Sequence, residues 1–390
     1  MYSAPNVVLV FFSGLLVDRV GMGVGGVLFN LFILSGAAVC ALVPQAGPSW
    51  PPERVFPLLL VGRLLIGVGG ESVVATTLKM ISRSFSSTPH LNTAMAVNQA
   101  VIQLLGSSAP FYFLPGLGGV PEANRALLLV CLVSLGASVL YWGLERGCGT
   151  RCFADAGPDR ELAADEEAVA LRAPGYDATR VGSGGAAAAS AAKHVEPLSA
   201  LATLRRFPRA FWLLILHIGL TSPCLWTFSD FGTLYLQENF ASTATAEAAG
   251  KTMSLLYLGI VMAPVTGFII DRIGHRTLVQ LIAASVVPLL FLALDNHVLS
   301  PAAALAAMGF VYGVTETNGF ALVALVVPEE VQGAAFGLVG CVISIALIVE
   351  PYAVGALRER YGTFQSSMAL FICVTVLGAA VAALVHARST

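Results

Sequence analysis

The sequence predicts an all-α polytopic membrane protein, and its composition and its long apolar segments are the two observations behind this fold class. Of 390 residues, 56% are hydrophobic and only 11% are charged, whereas soluble domains carry about 25% charged residues. So few charges cannot cover a compact water-soluble protein of this length. The formal net charge of -2 also provides no basic field for binding nucleic acid.

Eleven apolar segments account for most of the chain, and each is a candidate membrane span because a helix needs about 20 apolar residues to cross a bilayer. These segments are 3–17, 24–43, 56–80, 92–116, 124–144, 209–236, 252–270, 277–294, 300–327, 333–357 and 364–386. The first is short, since the chain begins almost inside it. Several contain Gly or Pro, which membrane helices tolerate better than soluble ones.

Residues 145–208 differ in composition from the segments on either side. They contain an acidic run at 165–167 and a Gly/Ala-rich tract at 182–192. Such a segment cannot bury enough apolar surface to fold alone. We therefore expect a mostly disordered cytoplasmic linker between an N-terminal bundle of five spans (1–144) and a C-terminal bundle of six (209–390).

An eight-residue motif occurs once in each half, at residues 14–21 (GLLVDRVG) and 267–274 (GFIIDRIG). Each copy ends one span and begins the short loop to the next. A complete span, 209–236, precedes the second copy, whereas none precedes the first. We therefore expect two six-helix bundles of which the first helix is absent here. The motif residues are Gly14, Asp18, Arg19, Gly267, Asp271 and Arg272.

The placement of Lys and Arg favours an orientation in which both motif loops face the cytoplasm. In that orientation each residue type of the motif has a physical role. Its glycines let neighbouring helices approach closely. Its Asp and Arg side chains could form charge-assisted contacts across the seam between the halves, to be broken when that side opens. The alternative is a solvated turn that only obeys the preference for positive charge at the cytoplasmic side.

A Gly-x-x-x-Asp-Arg-x-Gly loop repeated in two halves resembles the signature of the major facilitator superfamily. Residues 2–9, 69–72 and 327–330 further resemble the domain-containing protein 1 family of that superfamily, the lysosomal dipeptide exporters. The resemblance implies two helical bundles and uniporter-like export of dipeptides from lysosomes or vacuoles. It also implies a glycosylated single-span accessory subunit, and the chain itself contains no Asn-x-Ser/Thr sequon.

Charged residues within the apolar segments suggest a central site, because each costs about 2.5–3.5 kcal/mol at mid-bilayer. Glu71 lies beside two glycines near the middle of 56–80, and Glu316 lies near the middle of 300–327. A structural hydrogen bond to a neighbouring helix is the alternative for Glu71. The candidate substrate-binding residues are Glu71, Arg63, Gln99, Gln103, Glu316, Asn318, Phe320 and Tyr257.

Acidic residues outnumber basic ones in the interior of the predicted spans. The basic residue there is Arg63, and the acidic ones are Glu71, Asp230, Glu316 and Glu350. Such an interior either binds cationic groups or holds some carboxylates protonated. The α-ammonium or a basic side chain of a peptide is therefore a suitable guest for Glu71. Arg63 could clamp a carboxylate or instead bond the carbonyls of a broken helix.

The sequence offers fewer candidate binding residues for the carboxylate of the solute than for its cationic groups. The resembled family implies basic residues on the fifth and seventh helices, but segments 97–103 and 228–233 contain neither Lys nor Arg. Gln99 and Gln103 share a helix face and could hydrogen-bond a carboxylate or amide. Cationic or zwitterionic amino-acid-like compounds therefore stand beside dipeptides as expected substrates.

No enzyme is expected, since the sequence contains no nucleotide-binding loop, no cofactor fingerprint and no metal-ligand spacing. The expected partners are a small-molecule substrate and the lipid bilayer. A secondary or facilitative carrier that works by alternating access is the main hypothesis. The alternative is a non-transporting scaffold or receptor on a carrier fold.

Overall fold

The computed structural model describes residues 5–46, 52–85, 88–108, 120–147 and 200–389. Every regular element in these ranges is a helix, which confirms the predicted all-α class. The central part of the predicted linker, and the end of the predicted span 92–116, lie outside the described residues. Below, "first half" means the described residues before 148 and "second half" those after 199.

Five α-helices form the described first half. They are α1 (Asn6–Val20), α2 (Met22–Ala46), α3 (Pro52–Phe85), α4 (Leu91–Ile102) and α5 (Val120–Gly147). Helix α4 continues directly into a π-helical segment, Gln103–Ser108.

Eight α-helices form the second half. They are α6 (Ala200–Leu204), α7 (Arg209–Asn239), α8 (Ala246–Ile260), α9 (Ala263–Ile273), α10 (Arg276–Asp295), α11 (Pro301–Val326), α12 (Gln332–Tyr361) and α13 (Gln365–Ser389). The predicted span 252–270 thus consists of two helices in series. Pro264 lies in the first turn of α9, where its missing N–H costs least, and this explains the break after α8.

Nine helical stretches of the described chain are long and apolar enough to cross a membrane, α8 and α9 together counting as one. Helix α5 exposes large apolar side chains such as Val133 (73%) and Leu140 (64%), as a lipid-facing helix should. Helix α11 is buried along most of its length. Its polar residues, including Glu316, therefore lie inside the protein.

The second half has an aromatic core. Phe228 on α7 packs against Phe291 on α10 at 5.4 Å between ring centroids and against Phe371 on α13 at 6.1 Å. All three rings are almost completely buried. Edge-to-face packing of this kind gives three helices one fixed arrangement.

Two helix pairs build the seam between the halves: α1 packs along α12, and α4 packs along α9. Helix α4 also contacts α11, and α3 contacts α12. Both copies of the repeated motif lie at one end of this seam, which we call the motif end. Glu71 lies on α3 of the first half, and Glu316 lies on α11 of the second half. Both helices contact the seam.

Candidate functional site

Asp18, near the end of α1, binds the first turn of α12 in the other half. Its carboxylate accepts hydrogen bonds from the backbone N–H groups of Gly333 (2.9 Å) and Ala334 (2.8 Å). A helix N-terminus favours an anion because its first N–H groups have no helical partner. Lys79 on α3 donates to the same carboxylate at 2.5 Å, and both charged side chains are only 9% exposed.

Asp271, near the end of α9, makes the matching contact in the opposite direction. It accepts hydrogen bonds from the backbone N–H groups of Asn92 (3.0 Å) and Thr93 (2.8 Å), at the start of α4. The Thr93 hydroxyl adds a third at 2.7 Å, and Arg276 approaches at 3.2 Å. We call these two reciprocal contacts, Asp18 with α12 and Asp271 with α4, the motif seal.

The motif glycines are required by the closeness of the helices at the seal. A Cβ atom on Gly14 would overlap the carbonyl of Gly333, and one on Gly267 would lie 2.8 Å from the carbonyl oxygen of Asn92. Any larger residue would therefore force the halves apart. Ser82 and Gln332 bond across the same end of the seam at 2.8 Å, in a buried position.

The motif arginines lie elsewhere. Arg19 and Arg272 are exposed, and the Arg272 guanidinium stacks over Phe268 of its own helix at 4.7 Å. The cations that neutralise the two aspartates are instead Lys79 and Arg276. The sequence contains indications of both cations. Lys79 is a basic residue at the end of an apolar segment, and Arg276 lies two residues after the second copy of the motif.

At the centre of the seam, Gln99 on α4 donates a hydrogen bond of 2.6 Å to Oε2 of Glu316 on α11. Glu316 is 7% exposed. Glu71 on α3 is partly buried and lies close enough to Glu316 for the two charges to interact. Among the described residues, no donor bonds the Glu71 carboxylate. Three of the predicted site residues, from three helices and both halves, therefore lie in the same region of the seam.

The other predicted site residues lie in different surroundings. Arg63 is exposed on α3, and Gln103 is buried at the start of the π-helical segment. Phe320 packs against Phe336 at 6.5 Å within the apolar core. Tyr257 lines a small cavity between α7, α8 and α11, together with Trp226 and Tyr312.

Asn318 belongs to a buried polar network that sequence reasoning did not identify. Its amide donates to Gln280 Oε1 and to the carbonyl oxygen of Arg276, each at 2.8 Å. Gln280 also bonds the Thr315 carbonyl oxygen at 3.0 Å and His217 Nε2 at 2.8 Å. In the sequence, Gln280 is an isolated amide within an apolar segment, and such a residue could have indicated a buried polar network.

His217 on α7 is the last member of this network and connects Gln280 with α13. Its Nδ1 lies 2.9 Å from the carbonyl oxygen of Gly378 on α13, so Nδ1 carries the proton and Nε2 accepts from Gln280. Both ring nitrogens are therefore satisfied by neighbouring helices. The network fixes the turn of α11 that carries Glu316, because Gln280 and Asn318 bond it on either side of that residue.

These contacts close into a ring between the centre and the motif seal. Asp271 binds the start of α4, and Gln99 on α4 binds Glu316. Two residues along α11, Asn318 binds the backbone of Arg276, whose side chain returns to Asp271. A shift at the centre thus reaches the seal through a short series of hydrogen bonds.

Two further acids lie away from this centre. Glu350 on α12 is buried and accepts hydrogen bonds from the Thr227 hydroxyl at 3.0 Å and the Cys224 thiol at 3.5 Å. Asp230 is exposed on α7. Within the described residues, no group of His, Cys, Asp or Glu side chains is arranged to hold a metal ion.

The chain matches the family model described as Major Facilitator Superfamily over residues 1–349 and 260–389. It is 24% identical over 393 residues to the lysosomal dipeptide transporter MFSD1 of Danio rerio. It is also 24% identical over 378 residues to the transporter of that name from Homo sapiens. Each alignment covers 96% of this chain and 74% of the relative.

Solved structures share the fold. The human organic anion transporter MFSD10 superimposes with a TM-score of 0.67 at 18% identity, over 98% of this chain and 82% of its own. The E. coli fucose:proton symporter FucP gives 0.67 at 13% identity, over 99% and 91%. These relatives are transporters rather than enzymes. With the family model matching nearly the whole sequence, the chain belongs to the Major Facilitator Superfamily.

Proposed function

We propose that this protein carries dipeptides, or cationic and zwitterionic compounds resembling amino acids, across the lysosomal or vacuolar membrane by alternating access. The observation that supports this most directly is the Glu71 carboxylate, which has no hydrogen-bond donor among the described residues and faces the seam beside Glu316. An unpaired charge at this depth needs a cation or a proton. The name of the curated relatives, lysosomal dipeptide transporter, supports the substrate class and the membrane.

In this proposal the motif seal is the cytoplasmic gate. Lys79, Arg83 and Arg276 lie at that end, in keeping with the excess of positive charge on the cytoplasmic side. With the seal closed, a solute reaches the centre from the opposite side. Opening towards the cytoplasm then requires both helix caps to break, together with the bond between Gln99 and Glu316.

Glu71 and Arg63 would hold opposite ends of the solute. The two residues are eight positions apart on α3, which is about 12 Å along the helix axis. An extended dipeptide spans about 7 Å, and the long arginine side chain can bridge the remainder. Glu71 would take the α-ammonium and Arg63 the carboxylate. Gln99 and Gln103, on one face of the opposing helix, would bond the peptide group.

The accessory subunit implied by the resemblance is part of the same proposal. The chain has no Asn-x-Ser/Thr sequon of its own, so a glycan coat that protects a lysosomal protein would come from a partner. Co-purification with a glycosylated single-span protein from the native membrane would support that partner. Full transport by the purified chain alone would show that transport does not depend on it.

The test is uptake of labelled dipeptides, single amino acids and sugars into proteoliposomes. We expect saturable dipeptide uptake that Glu71→Gln abolishes, because the amide cannot pair with an ammonium group. Glu53→Gln is the matched control, since Glu53 is exposed on the same helix. Uptake of another solute class alone would overturn the substrate assignment. No uptake of any solute would favour the scaffold or receptor.

A further inference from the structure

We propose that the arginine-rich turn between α6 and α7 binds the headgroup of a phosphatidylinositol phosphate in the cytoplasmic leaflet of the membrane. The surface lies at the motif end of the second half, not at the central carboxylates. The inference goes beyond the proposed function and takes from it only the cytoplasmic orientation of the motif end. Residues 205–209, together with Arg388 at the end of α13, are called the arginine patch below.

The turn is anchored to the protein core on both sides. Helix α6 packs against an apolar cluster through Ala200 and Leu204, and Phe207 inserts into the same cluster at 6% exposure. That cluster also contains Phe336, near the start of α12, the helix that Asp18 caps. The turn therefore lies at the motif end, and packing fixes its backbone.

Three exposed arginines project from this anchored turn, Arg205, Arg206 and Arg209. The N–H groups of the first two bond the carbonyl oxygens of Leu201 at 3.2 Å and Thr203 at 3.0 Å. No ion pair within the described ranges includes any of the three arginines. Neither α6 nor the first turn of α7 contains an acidic residue. Three guanidinium groups within five residues therefore lack a counter-charge from the described part of the chain.

Arg388 adds a fourth guanidinium group at the same end. It is exposed in the last turn of α13. Val385, three residues earlier, belongs to the same apolar cluster as Phe211 on α7. His386 is bonded to the Thr277 hydroxyl on α10 at 2.9 Å. These contacts fix the end of α13 close to the start of α7, so Arg388 extends the patch.

Two exposed apolar side chains beside the arginines favour a lipid over a soluble anion. Trp212 is 43% exposed, and its ring packs edge to face on Phe207 at 6.2 Å and on Phe211 at 5.7 Å. Leu201, one turn before Arg205, is 60% exposed. Tryptophan is enriched at the level of the lipid headgroups. An indole ring held there suits the glycerol and upper acyl chain of a phospholipid.

The number and type of the basic groups select the headgroup. A guanidinium group binds a phosphate through two parallel hydrogen bonds, so four of them exceed the capacity of a single phosphate. Phosphatidylserine offers one phosphate, together with an ammonium group that the arginines repel. A phosphatidylinositol phosphate presents two or more phosphates on one rigid ring, and it therefore matches the patch.

The acidic run at 165–167 of the same chain is the other possible occupant by charge. Carboxylates would pair with the arginines as well as phosphates do in sign. They would leave the exposed faces of Trp212 and Leu201 uncovered, however, whereas a phospholipid covers them. The lipid is therefore the occupant that uses every feature of the surface.

The experiment measures binding of fluorescent dioctanoyl phosphatidylinositol bisphosphate to the full chain in phosphatidylcholine nanodiscs. The readout is fluorescence anisotropy at physiological ionic strength, with empty nanodiscs as the blank. We expect saturable binding, with dioctanoyl phosphatidylserine a weak competitor. The triple variant Arg205→Gln/Arg206→Gln/Arg209→Gln should bind about a hundredfold more weakly, since basic residues at a membrane surface contribute about 1 kcal/mol each.

The matched control is Arg19→Gln/Arg83→Gln/Arg272→Gln. It removes the same charge from exposed positions at the same end of the molecule, and it should retain the affinity for the lipid. Trp212→Ala is a second variant that keeps every arginine. It should weaken binding of the dioctanoyl lipid and leave binding of free inositol trisphosphate unchanged, because the ring contacts the glycerol and acyl chain.

Several outcomes would overturn this inference. Equal loss of binding in the triple variant and its control would reduce the patch to general positive charge. Equal competition by phosphatidylserine would remove the headgroup assignment, and an unchanged affinity in Trp212→Ala would remove the lipid contact. Binding that appears only in Asp165→Asn/Glu166→Gln/Glu167→Gln would assign the arginines to the acidic run of the chain itself. The binding assay involves no transport, so its result and that of the dipeptide uptake test are independent.

Discussion

Asp18 and Asp271 hold the two halves together by the same chemistry applied in opposite directions. Asp18 extends from the first half to the start of α12, and Asp271 extends from the second half to the start of α4. Each carboxylate accepts two backbone N–H bonds that its target helix cannot satisfy internally. Each also pairs with a cation of its own half, Lys79 or Arg276. Separation of the halves must therefore break both caps.

Replacing Gly14 with alanine should open the motif end. The new Cβ would overlap the Gly333 carbonyl, and overpacking of this kind costs about 1–3 kcal/mol. The closed state loses that free energy while the open state does not. The measurement is labelling, from the motif side, of a single cysteine introduced at the buried Ser82 in a cysteine-free background. We expect labelling to become about tenfold faster.

Gly26→Ala is the control for this change. Gly26 lies within α2, and a Cβ there would meet no atom within 4 Å. The two variants gain the same helix propensity, so only the clash distinguishes them. Equal labelling of both variants would show that the closeness of Gly14 to Gly333 does not limit opening.

Asp18→Asn should strongly destabilise the folded protein. The change leaves Lys79 buried without its counter-charge, and breaking a buried pair in this way costs about 3–5 kcal/mol. The measurement is the midpoint of thermal unfolding in detergent. Adding Lys79→Met should restore part of the loss, because no uncompensated charge then remains. Glu247→Gln, which removes the exposed pair with Lys251, should leave the midpoint unchanged.

Gln99→Leu should weaken the seam at its centre. The Glu316 carboxylate would lose its hydrogen bond from Gln99, and an unsatisfied buried acceptor costs about 1–3 kcal/mol. A double-mutant cycle with Glu316→Leu measures the coupling through unfolding midpoints. We expect a clear coupling energy for this pair. The neighbouring Asn98, which makes no described bond to Glu316, should give additive effects when replaced by leucine.

His217→Leu should loosen the turn of α11 around Glu316. Gln280 and the Gly378 carbonyl would each lose a buried partner. Hydrogen–deuterium exchange of peptides that cover residues 312–320 should become faster, because local opening there would cost less free energy. His297→Asn is the control: that residue is exposed at a φ of 55°, a conformation that asparagine accepts. Unchanged exchange in His217→Leu would argue against the network as a support of α11.

The sequence predicted the class of fold well because its signals are local. Long apolar segments determine helices, and the predicted family is confirmed by the family model. The break after α8 follows from Pro264 once the helix bounds are known. The predicted division into two bundles and a linker stays a prediction, since much of that linker lies outside the described residues.

The partners within the site could not be predicted, because they depend on how distant helices pack. Asp18 bonds Lys79, which lies 61 residues away in the sequence, and Gly333, which lies 315 residues away. The motif pairs aspartate with arginine in sequence, yet both arginines face outward. Gln99 is predicted to bond a carboxylate or an amide of the solute, and in the structure it bonds the carboxylate of Glu316 in the opposite half.

The ring through Asp271, Gln99, Glu316, Asn318 and Arg276 has a thermodynamic consequence. Because its contacts form one closed cycle, the centre and the motif end share a coupling free energy that acts equally in both directions. A group that displaces Gln99 from Glu316 loosens the hold of Asp271 on α4. In the same way, whatever pulls α4 away from Asp271 weakens the hydrogen bond between Gln99 and Glu316. In a carrier that works as proposed, reciprocity of this kind would let the solute leave on the side that has just opened.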